Sequence, residues 1–318
     1  MVKNKVVFIT NSSWNIVNFR KNLIFSFLNE NNVIVISGDR KYEDQIKSWG
    51  VSFIKVSFPS LNYLFLNFFV SFFKMIYIFI KEKPDYCFSF TIYPNILSGL
   101  VIYFFPRTKF SPNVAGLGRA FKKKGLLNFV ASILYKICFL KATNIFFQNR
   151  EDVDEVLSRH SKERSKVILV PGSGIDVNRF KKDNDLEKKD FIFLFFSRLL
   201  KSKGILEFLE AAKILRSKKI KAKFLVAGPI LKKDRDAISS NEIRNWHQSQ
   251  YIEYKGEIKD VREILDISSC VVLPTYYNEG VPRVLLEAGA FSLPLIASNS
   301  RGCRDVLKDG FNGLFCPT

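Results

Sequence analysis

The sequence predicts an α/β protein made of two tandem parallel-sheet domains. Three observations carry this. Apolar runs of strand length alternate with helical segments through the first half, the alternation breaks at a Pro-Gly-Ser-Gly turn and a charged run, and it then restarts. Strands covered by helices on both faces read as continuous apolar runs, and these do.

In order, the first half gives the strand "KVVFIT", the polar turn "NSSWN", a helix from about Val17 to Asn29, the strand "NVIVIS", a helix, and "VSFIKVSF". The segment Leu61 to Ile80, "LNYLFLNFFVSFFKMIYIFI", is about long enough to span a bilayer. Asn62, Asn67, Ser71 and Lys74 interrupt it, and it runs into "KEKPDYCFSF", a helix ending before a strand. It reads as a helix buried against the sheet, with a membrane-touching face as the alternative. A helix after "TIYPN", the strand "TKFSPNV", the basic Gly-rich "AGLGRAFKKKG", the helix "LLNFVASILYKICFL" and the strand "NIFFQN" follow.

The break falls in "VILVPGSGIDVNRFKKDNDLEKKD" and sets the domains at residues 1–175 and 190–318, with 176–189 as linker. Beyond it come "FIFLFFSRL", the helix "GILEFLEAAKILRSK", the strands "KAKFLVAG" and "YIEYKG", the helix "DVREILDIS" and the strand "CVVLP". Tandem α/β units leave a cleft where the carboxyl ends of their strands converge.

With 318 residues, 47% of them hydrophobic, the chain can fill two cores. Its 49 Lys and Arg against 30 Asp and Glu, a formal net charge of +19, imply an anionic partner. Nucleic acid is set aside, because the basic residues are scattered and most Phe lie in apolar runs rather than between cations. Cys87, Cys138, Cys270, Cys303 and Cys316 are odd in number and lack C-x-x-C spacing, so a zinc site and a disulfide framework are both disfavoured and a reducing cytoplasm fits. The opening "MVKNKVVFITNSSWN" reads as a first strand, not a signal peptide.

Two constellations carry chemistry. In "YNEGVPRVLLEAGA" a strand has just ended and Pro282 stands near a helix start, where its missing N–H costs nothing. Glu279 then lies at the mouth beside helix N–H groups, and Glu287 one to two turns inside. Each acid alone reads as a helix-start or solvated residue; both around one Gly-x-Pro turn suit a ligand rich in hydroxyls. In "FFSRLLKSKGI", Arg198 follows an apolar strand and Lys203 precedes Gly204, a pair of cations suited to a diphosphate.

With these residues the chain resembles family four of the retaining glycosyltransferases, whose GT-B fold has two Rossmann-like domains with parallel sheets facing a cleft. That family spaces its acids E-x7-E, as Glu279 and Glu287 are spaced, and its cations Arg-x4-Lys, as Arg198 and Lys203 are. The resemblance implies that Arg198 and Lys203 bind the donor diphosphate, that Glu279 and the backbone of Gly280, Val281 and Pro282 hold the donor sugar, and that Glu287 holds the ribose. Glu279, Arg198 and Lys203 become the catalytic candidates, and Ile258 in "YKGEIKD" matches the segment that contacts the nucleobase.

Through "NSSWNIVNFRKNL", "KPDYCFSFTIYPNI", "NVAGLGRAF", "NIFFQNREDV" and "PGSGIDVNRF" the resemblance reaches the branch that builds capsule, O-antigen and lipid-linked glycans in bacteria. It implies a UDP-sugar donor carrying an N-acetylhexosamine or hexose, transfer with retention, no required metal or other cofactor, and a polyprenyl-diphosphate-linked saccharide acceptor. The first domain becomes the acceptor side, with Asn11, Ser12, Ser13, Trp14, Asn15, Gly116 and Gly118 bordering the cleft and Asn113 a polar contact near the reaction centre. The second becomes the nucleotide-sugar domain. The expected location is cytoplasmic, peripheral to the inner membrane face, with Lys122, Lys123 and Lys124 and the apolar helices after Leu61 and Leu126 resting on anionic lipid.

Two departures stand out. "SPNVAGLG" has no His where many members carry one near the donor sugar, and neither His160 nor His247 is given a role. "NGLFCPT" stops where the family continues with further helices, so the expectation is a shortened domain lacking its C-terminal crossover helices. Asp234 and Asp236 form a D-x-D resembling a metal motif of another fold, but in a charged stretch they read as solvated. A truncated, inactive nucleotide-sugar binder and a nucleotide-sugar epimerase on the same fold remain the alternatives.

Overall fold

The computed structural model describes residues 3–58, 64–117, 126–157, 160–181, 190–231, 234, 236–248, 251–277 and 279–317. The chain divides into two compact units, Met1–Ser173 and Gly174–Thr318.

The first unit is a parallel sheet wrapped by helices. Its strands are β1 (Asn4–Thr10), β2 (Asn31–Ser37), β3 (Ser52–Lys55), β4 (Tyr86–Phe90), β5 (Lys109–Val114), β6 (Ile145–Phe147) and β7 (Val167–Leu169), in the order β3-β2-β1-β4-β5-β6-β7. Between them run α1 (Ser13–Asn15) and α2 (Lys21–Leu28), joined by a π turn at Ile16–Arg20, then α3 (Glu43–Lys47), α4 (Leu64–Glu82), α5 (Ile92–Val101) with a 3₁₀ turn at Ile102–Phe104, α6 (Leu126–Leu140) and α7 (Arg150–Val156). Alternate residues of β1 feed two cores. Val7 and Ile9 pack with Met75, Phe79, Leu97 and Tyr135 beneath α4, α5 and α6, and Val6 and Phe8 pack with Ile16, Ile24 and Ile46 on the other face.

Two expectations are refined here. The helix expected from Val17 begins at Ser13, because Ser12 caps it through a hydroxyl that accepts from Asn15 N–H at 3.4 Å. The helix expected over Leu61 to Ile80 extends to Glu82; residues 61–63 lie outside the described residues, and along α4 only one side is buried. No helix among the described residues is long and apolar enough to cross a membrane.

The second unit repeats the plan with β8 (Ile192–Phe196), β9 (Lys223–Ala227), β10 (Glu253–Tyr254), β11 (Cys270–Leu273), β12 (Leu295–Ser298) and β13 (Gly313–Cys316), ordered β10-β9-β8-β11-β12-β13. Its helices are α8 (Ile205–Ser217), α9 (Ser240–Gln248), α10 (Val261–Ile267) and α11 (Arg283–Ala290). Phe180, inside the stretch read as linker, is buried in this unit's core and meets Phe291 edge-on at 6.3 Å. All described strand pairs in both sheets are parallel, as continuous apolar runs separated by helices require.

Candidate functional site

The second sheet reverses its order between β8 and β11, so the loops leaving the carboxyl ends of those neighbouring strands lie side by side. In open α/β sheets that switch point is where ligands bind. The loop after β8 carries Arg198 and closes in a 3₁₀ turn, Lys201–Lys203, ended by Gly204. Gly204 is left-handed, with φ 84°, and a Cβ there would lie 2.0 Å from the Pro274 carbonyl oxygen. Glycine therefore lets the two loops touch. Tyr276 N–H seals them by donating to Ser202 O at 2.9 Å.

Lys203 leaves this turn into protein rather than water. Its ammonium pairs with the Glu279 carboxylate and lies 4.8 Å from the centre of the Tyr277 ring. Burial pushes the Lys203 pKa below its ordinary value of 10.5; the neighbouring Arg198 charge adds to that, and Glu279 opposes it. Thr275 Oγ1 lies 3.1 Å from Ser202 O and 3.3 Å from Glu279 Oε1, so a single hydroxyl tethers the acid to the opposite loop. Arg198 is exposed, its guanidinium 5.9 Å from the same Tyr277 ring. Two cations share one aromatic ring, the buried one paired to an acid.

Asp236 holds the turn from beneath. Its carboxylate accepts from the Ser202 hydroxyl and from Ser202 N–H at 3.2 Å, while its carbonyl accepts from Lys201 N–H at 2.8 Å. Asp236 is thus an anchor rather than part of a solvated run, and Asp234 in turn accepts from Asp236 N–H at 2.9 Å. Among the described residues no three His, Cys, Asp or Glu side chains gather as a metal site.

Beyond Glu279, the buried Gly280 and Pro282 flank the half-buried Val281 and lead into α11. Gly302, after β12, fits under this segment: its φ is 69°, and a Cβ there would lie 1.4 Å from the Gly280 carbonyl oxygen. Among the described residues no side chain caps α11, whose first N–H groups have no carbonyl partner within the helix, while Leu285 N–H donates to the Pro282 carbonyl at 3.1 Å. Glu287 is buried on α11, with its Oε1 2.7 Å from Arg283 Nε. Burial raises its pKa above 4.5, against the opposing pull of Arg283 and then Arg179. Ile258, on the loop after β10, is half-buried against the second core.

The site residues expected in the first unit fall into four groups. Ser12 and Ser13 build their own loop: Ser13 is fully buried, donates its hydroxyl to Asp39 and accepts from Tyr42 N–H at 3.1 Å. Asn11 and Trp14 are exposed and Asn15 half-buried, with Trp14 edge-on to Phe19 at 5.2 Å. Asn113 is buried near the end of β5, where its backbone carbonyl accepts from Asn95 at 2.9 Å and its side-chain oxygen has no hydrogen-bond partner among the described residues. Gly116 takes φ 105°, whereas Gly118 and Lys122 to Lys124 lie outside the described residues.

The structure thus gathers Arg198, Lys203 and Glu279 in one cluster and continues it through Gly280, Val281 and Pro282 to Glu287. Thr275, Ser202, Tyr277, Arg283 and Arg179 complete it without having been singled out in the sequence, and Asp236, which the sequence suggested was solvated, completes it as an anchor. Arg283 has a legible signal, since it stands four residues before Glu287 on one helix.

Residues 176–318 match the family described as glycosyl transferases group 1. The chain is 29% identical over 222 residues to the N,N'-diacetylbacillosaminyl-diphospho-undecaprenol alpha-1,3-N-acetylgalactosaminyltransferase of Campylobacter jejuni, which covers 64% of this chain and 56% of that protein. It is 27% identical over 251 residues to the capsular polysaccharide biosynthesis glycosyltransferase CapM of Staphylococcus aureus, covering 76% of this chain and 65% of that protein. The chain therefore spans between half and two thirds of these relatives. In architecture it is similar to Anabaena HepE in complex with UDP, with a TM-score of 0.76 at 12% identity over 98% of this chain and 85% of that one. The two parallel-sheet α/β units are those of the GT-B fold, as the sequence led us to expect.

Proposed function

From the match of residues 176–318 to glycosyl transferases group 1 we propose that the chain is a glycosyltransferase of that family and moves a hexosyl or N-acetylhexosaminyl group from a UDP-sugar to a polyprenyl-diphosphate-linked saccharide, with retention, in bacterial capsule or O-antigen synthesis. The observation that carries this is the Lys203–Glu279 pair with Arg198 at the switch point of the second sheet. The names of the relatives and the UDP held by HepE support the donor and acceptor classes.

Transfer breaks the bond between the anomeric carbon and the diphosphate oxygen and forms one from that carbon to an acceptor hydroxyl oxygen. Negative charge builds on the departing diphosphate, and Arg198, Lys203 and the first N–H groups of α11 stabilise it. The acceptor's proton passes to the departing phosphate oxygen on the face where the new bond forms, which preserves configuration. Glu279 and the Gly280–Pro282 backbone hold the sugar, Glu287 the ribose, and Ile258 the base. A UDP donor and a polyprenyl-linked acceptor put the reaction on the cytoplasmic membrane face, with the chain peripheral to it.

The test is UDP release from a panel of UDP-sugars, with and without lipid-linked acceptors extracted from membranes. Acceptor-dependent release from one donor establishes the reaction and names the sugar. Tight UDP binding with no release under any condition overturns it in favour of a binding protein.

A further inference from the structure

The layer of α4, α5 and α6 turns one side to the first unit's sheet and the other to solvent. Met75, Ile78 and Phe79 of α4 and Tyr135, Cys138 and Phe139 of α6 are buried in the core. The opposite side of α4 presents Phe69, Val70, Phe73, Tyr77 and Ile80, between 42% and 65% exposed. At 100° per residue these five fall within about a third of the helix circumference. An ordinary surface helix sends polar residues outward there.

The stripe continues across neighbouring elements. Phe104, at the end of the turn after α5, is 65% exposed, and Phe129 and Leu140 of α6 are 63% and 57% exposed. The Phe72 ring of α4 meets Phe104 at 6.1 Å, and Tyr103 Oη donates to the Ile137 carbonyl of α6 at 2.9 Å, which joins the three elements into one surface. Scattered apolar residues on a surface are ordinary, but a contiguous set marks an interaction site.

The charges around it are mostly positive. Lys74 and Lys81 edge the α4 stripe, Lys136 lies in line with Phe129 and Leu140, and Lys141 Nζ stands 5.3 Å from the Tyr103 ring. From Tyr86 to Arg150 the sequence holds no Asp or Glu and nine Lys or Arg. Glu82, the one acid of α4, is taken by Lys5 at 3.2 Å. Glu163 lies at the far rim, in a groove with Ile133, Lys136 and Leu140.

Two occupants suit such a face, a second copy of the chain or a lipid surface. Symmetric pairing would bring these cationic helices against themselves with little acid to answer them. An anionic bilayer supplies both an apolar depth for the rings and negative headgroups for the lysines. We propose that the outward side of α4, the Ile102–Phe104 turn and α6 docks on an anionic bilayer, the aromatic rings entering the headgroup boundary and Lys74, Lys81, Lys136 and Lys141 engaging lipid phosphate. This deepens the lipid-linked reading by naming a surface that would bring the chain to its acceptor.

The full chain is tested by co-sedimentation with phosphatidylcholine vesicles and with vesicles that also contain phosphatidylglycerol, with no sugar donor present, so that this inference and the transfer reading can fail separately. Binding is expected only with the anionic lipid and weakens as salt rises. The double variant Phe73→Ser, Tyr77→Ser is expected to bind about tenfold less or worse, and each of Lys74→Glu and Lys136→Glu at least roughly fivefold less. The lysine variants touch no core residue and keep the test valid if the aromatic change costs the fold. No binding to anionic vesicles, or equal binding by all variants, overturns the proposal. So does a dimer in solution that the aromatic variant dissociates while vesicle binding is absent.

Discussion

Lys203 and Glu279 reach each other across 76 residues of sequence, and their paired side chains are only 9% and 11% exposed. One comes from the loop after β8 and the other from the loop after β11, so the pair exists only because those strands are neighbours. Each charge answers the other where water cannot. Under the proposed function a donor diphosphate would compete with the carboxylate for the ammonium, and its arrival would free Glu279 to accept from sugar hydroxyls.

Glu279→Ala is therefore expected to harm both folding and transfer. It removes the sugar's acceptor and strands a buried ammonium, for an expected loss of about a hundredfold in kcat/KM and about 1–3 kcal/mol in stability. Donor-dependent UDP release and thermal melting read the two effects. A variant that melts like the parent and turns over normally removes Glu279 from the site.

Arg198→Ala separates function from fold. Its guanidinium is exposed and its contact in the cluster is the Tyr277 face at 5.9 Å. The expected stability change is within about 0.5 kcal/mol, while kcat/KM falls about a hundredfold through lost leaving-group stabilisation. Unchanged turnover by the folded variant would show that the diphosphate does not reach this loop.

Lys203 also sets a pH limit. Burial lowers its pKa from 10.5, so the ammonium is lost on raising pH sooner than for an exposed lysine. The free-enzyme profile of kcat/KM should accordingly show an alkaline limb below the ordinary lysine range, falling as pH rises. Lys203→Arg cannot lose its charge there, and any activity it retains should lack that limb. An identical limb in the Arg variant would assign it to another group.

The strands are legible in the sequence because residues such as Val6 to Ile9 and Val33 to Ile36 are buried on both faces, leaving no polar alternation to confuse them. Lys203 and Glu279 each stand just past a strand end in the sequence, but their meeting depends on β8 and β11 being neighbours in the sheet, which the sequence reading does not order. Asp236 and Arg179 are a different matter. They act on the site from segments whose approach is decided by tertiary packing; Arg179 stands at no revealing spacing, and the D-x-D spacing of Asp236 suggests a metal motif or a solvated run rather than an anchor for the Ser202 turn. The outward stripe of α4 is hidden for the opposite reason: Leu64 to Ile80 is apolar on nearly every side, and of its few polar residues Ser71 is buried, so periodicity cannot tell its buried side from its exposed one.

Gly302→Ala tests the backbone that carries Gly280 to Pro282. A Cβ would lie 1.4 Å from the Gly280 carbonyl oxygen at a φ of 69°, so either the loop after β12 or the start of α11 must move. About 2 kcal/mol or more of destabilisation is expected from clash and left-handed strain, with a rise in the KM for donor greater than any fall in kcat. Parent-like melting and KM would mean that the segment yields without consequence.

Glu287 gives a stability signal whose sign is fixed. Its folded pKa is raised above 4.5 by burial, despite Arg283 and Arg179, so the folded chain holds this proton more tightly than the unfolded one. Its favourable contribution is complete below 4.5 and fades as pH rises through the raised value, because ionising a buried carboxyl costs more than ionising a free one. Glu287→Gln keeps the shape and cannot ionise. The melting temperature of the parent minus that of the variant should fall as pH climbs from 4.5 towards neutrality, whatever constant offset the lost pairing with Arg283 adds. A difference that grows instead would mean that Arg283 and Arg179 outweigh burial and hold Glu287 as a carboxylate, poised for a ribose hydroxyl before any donor binds.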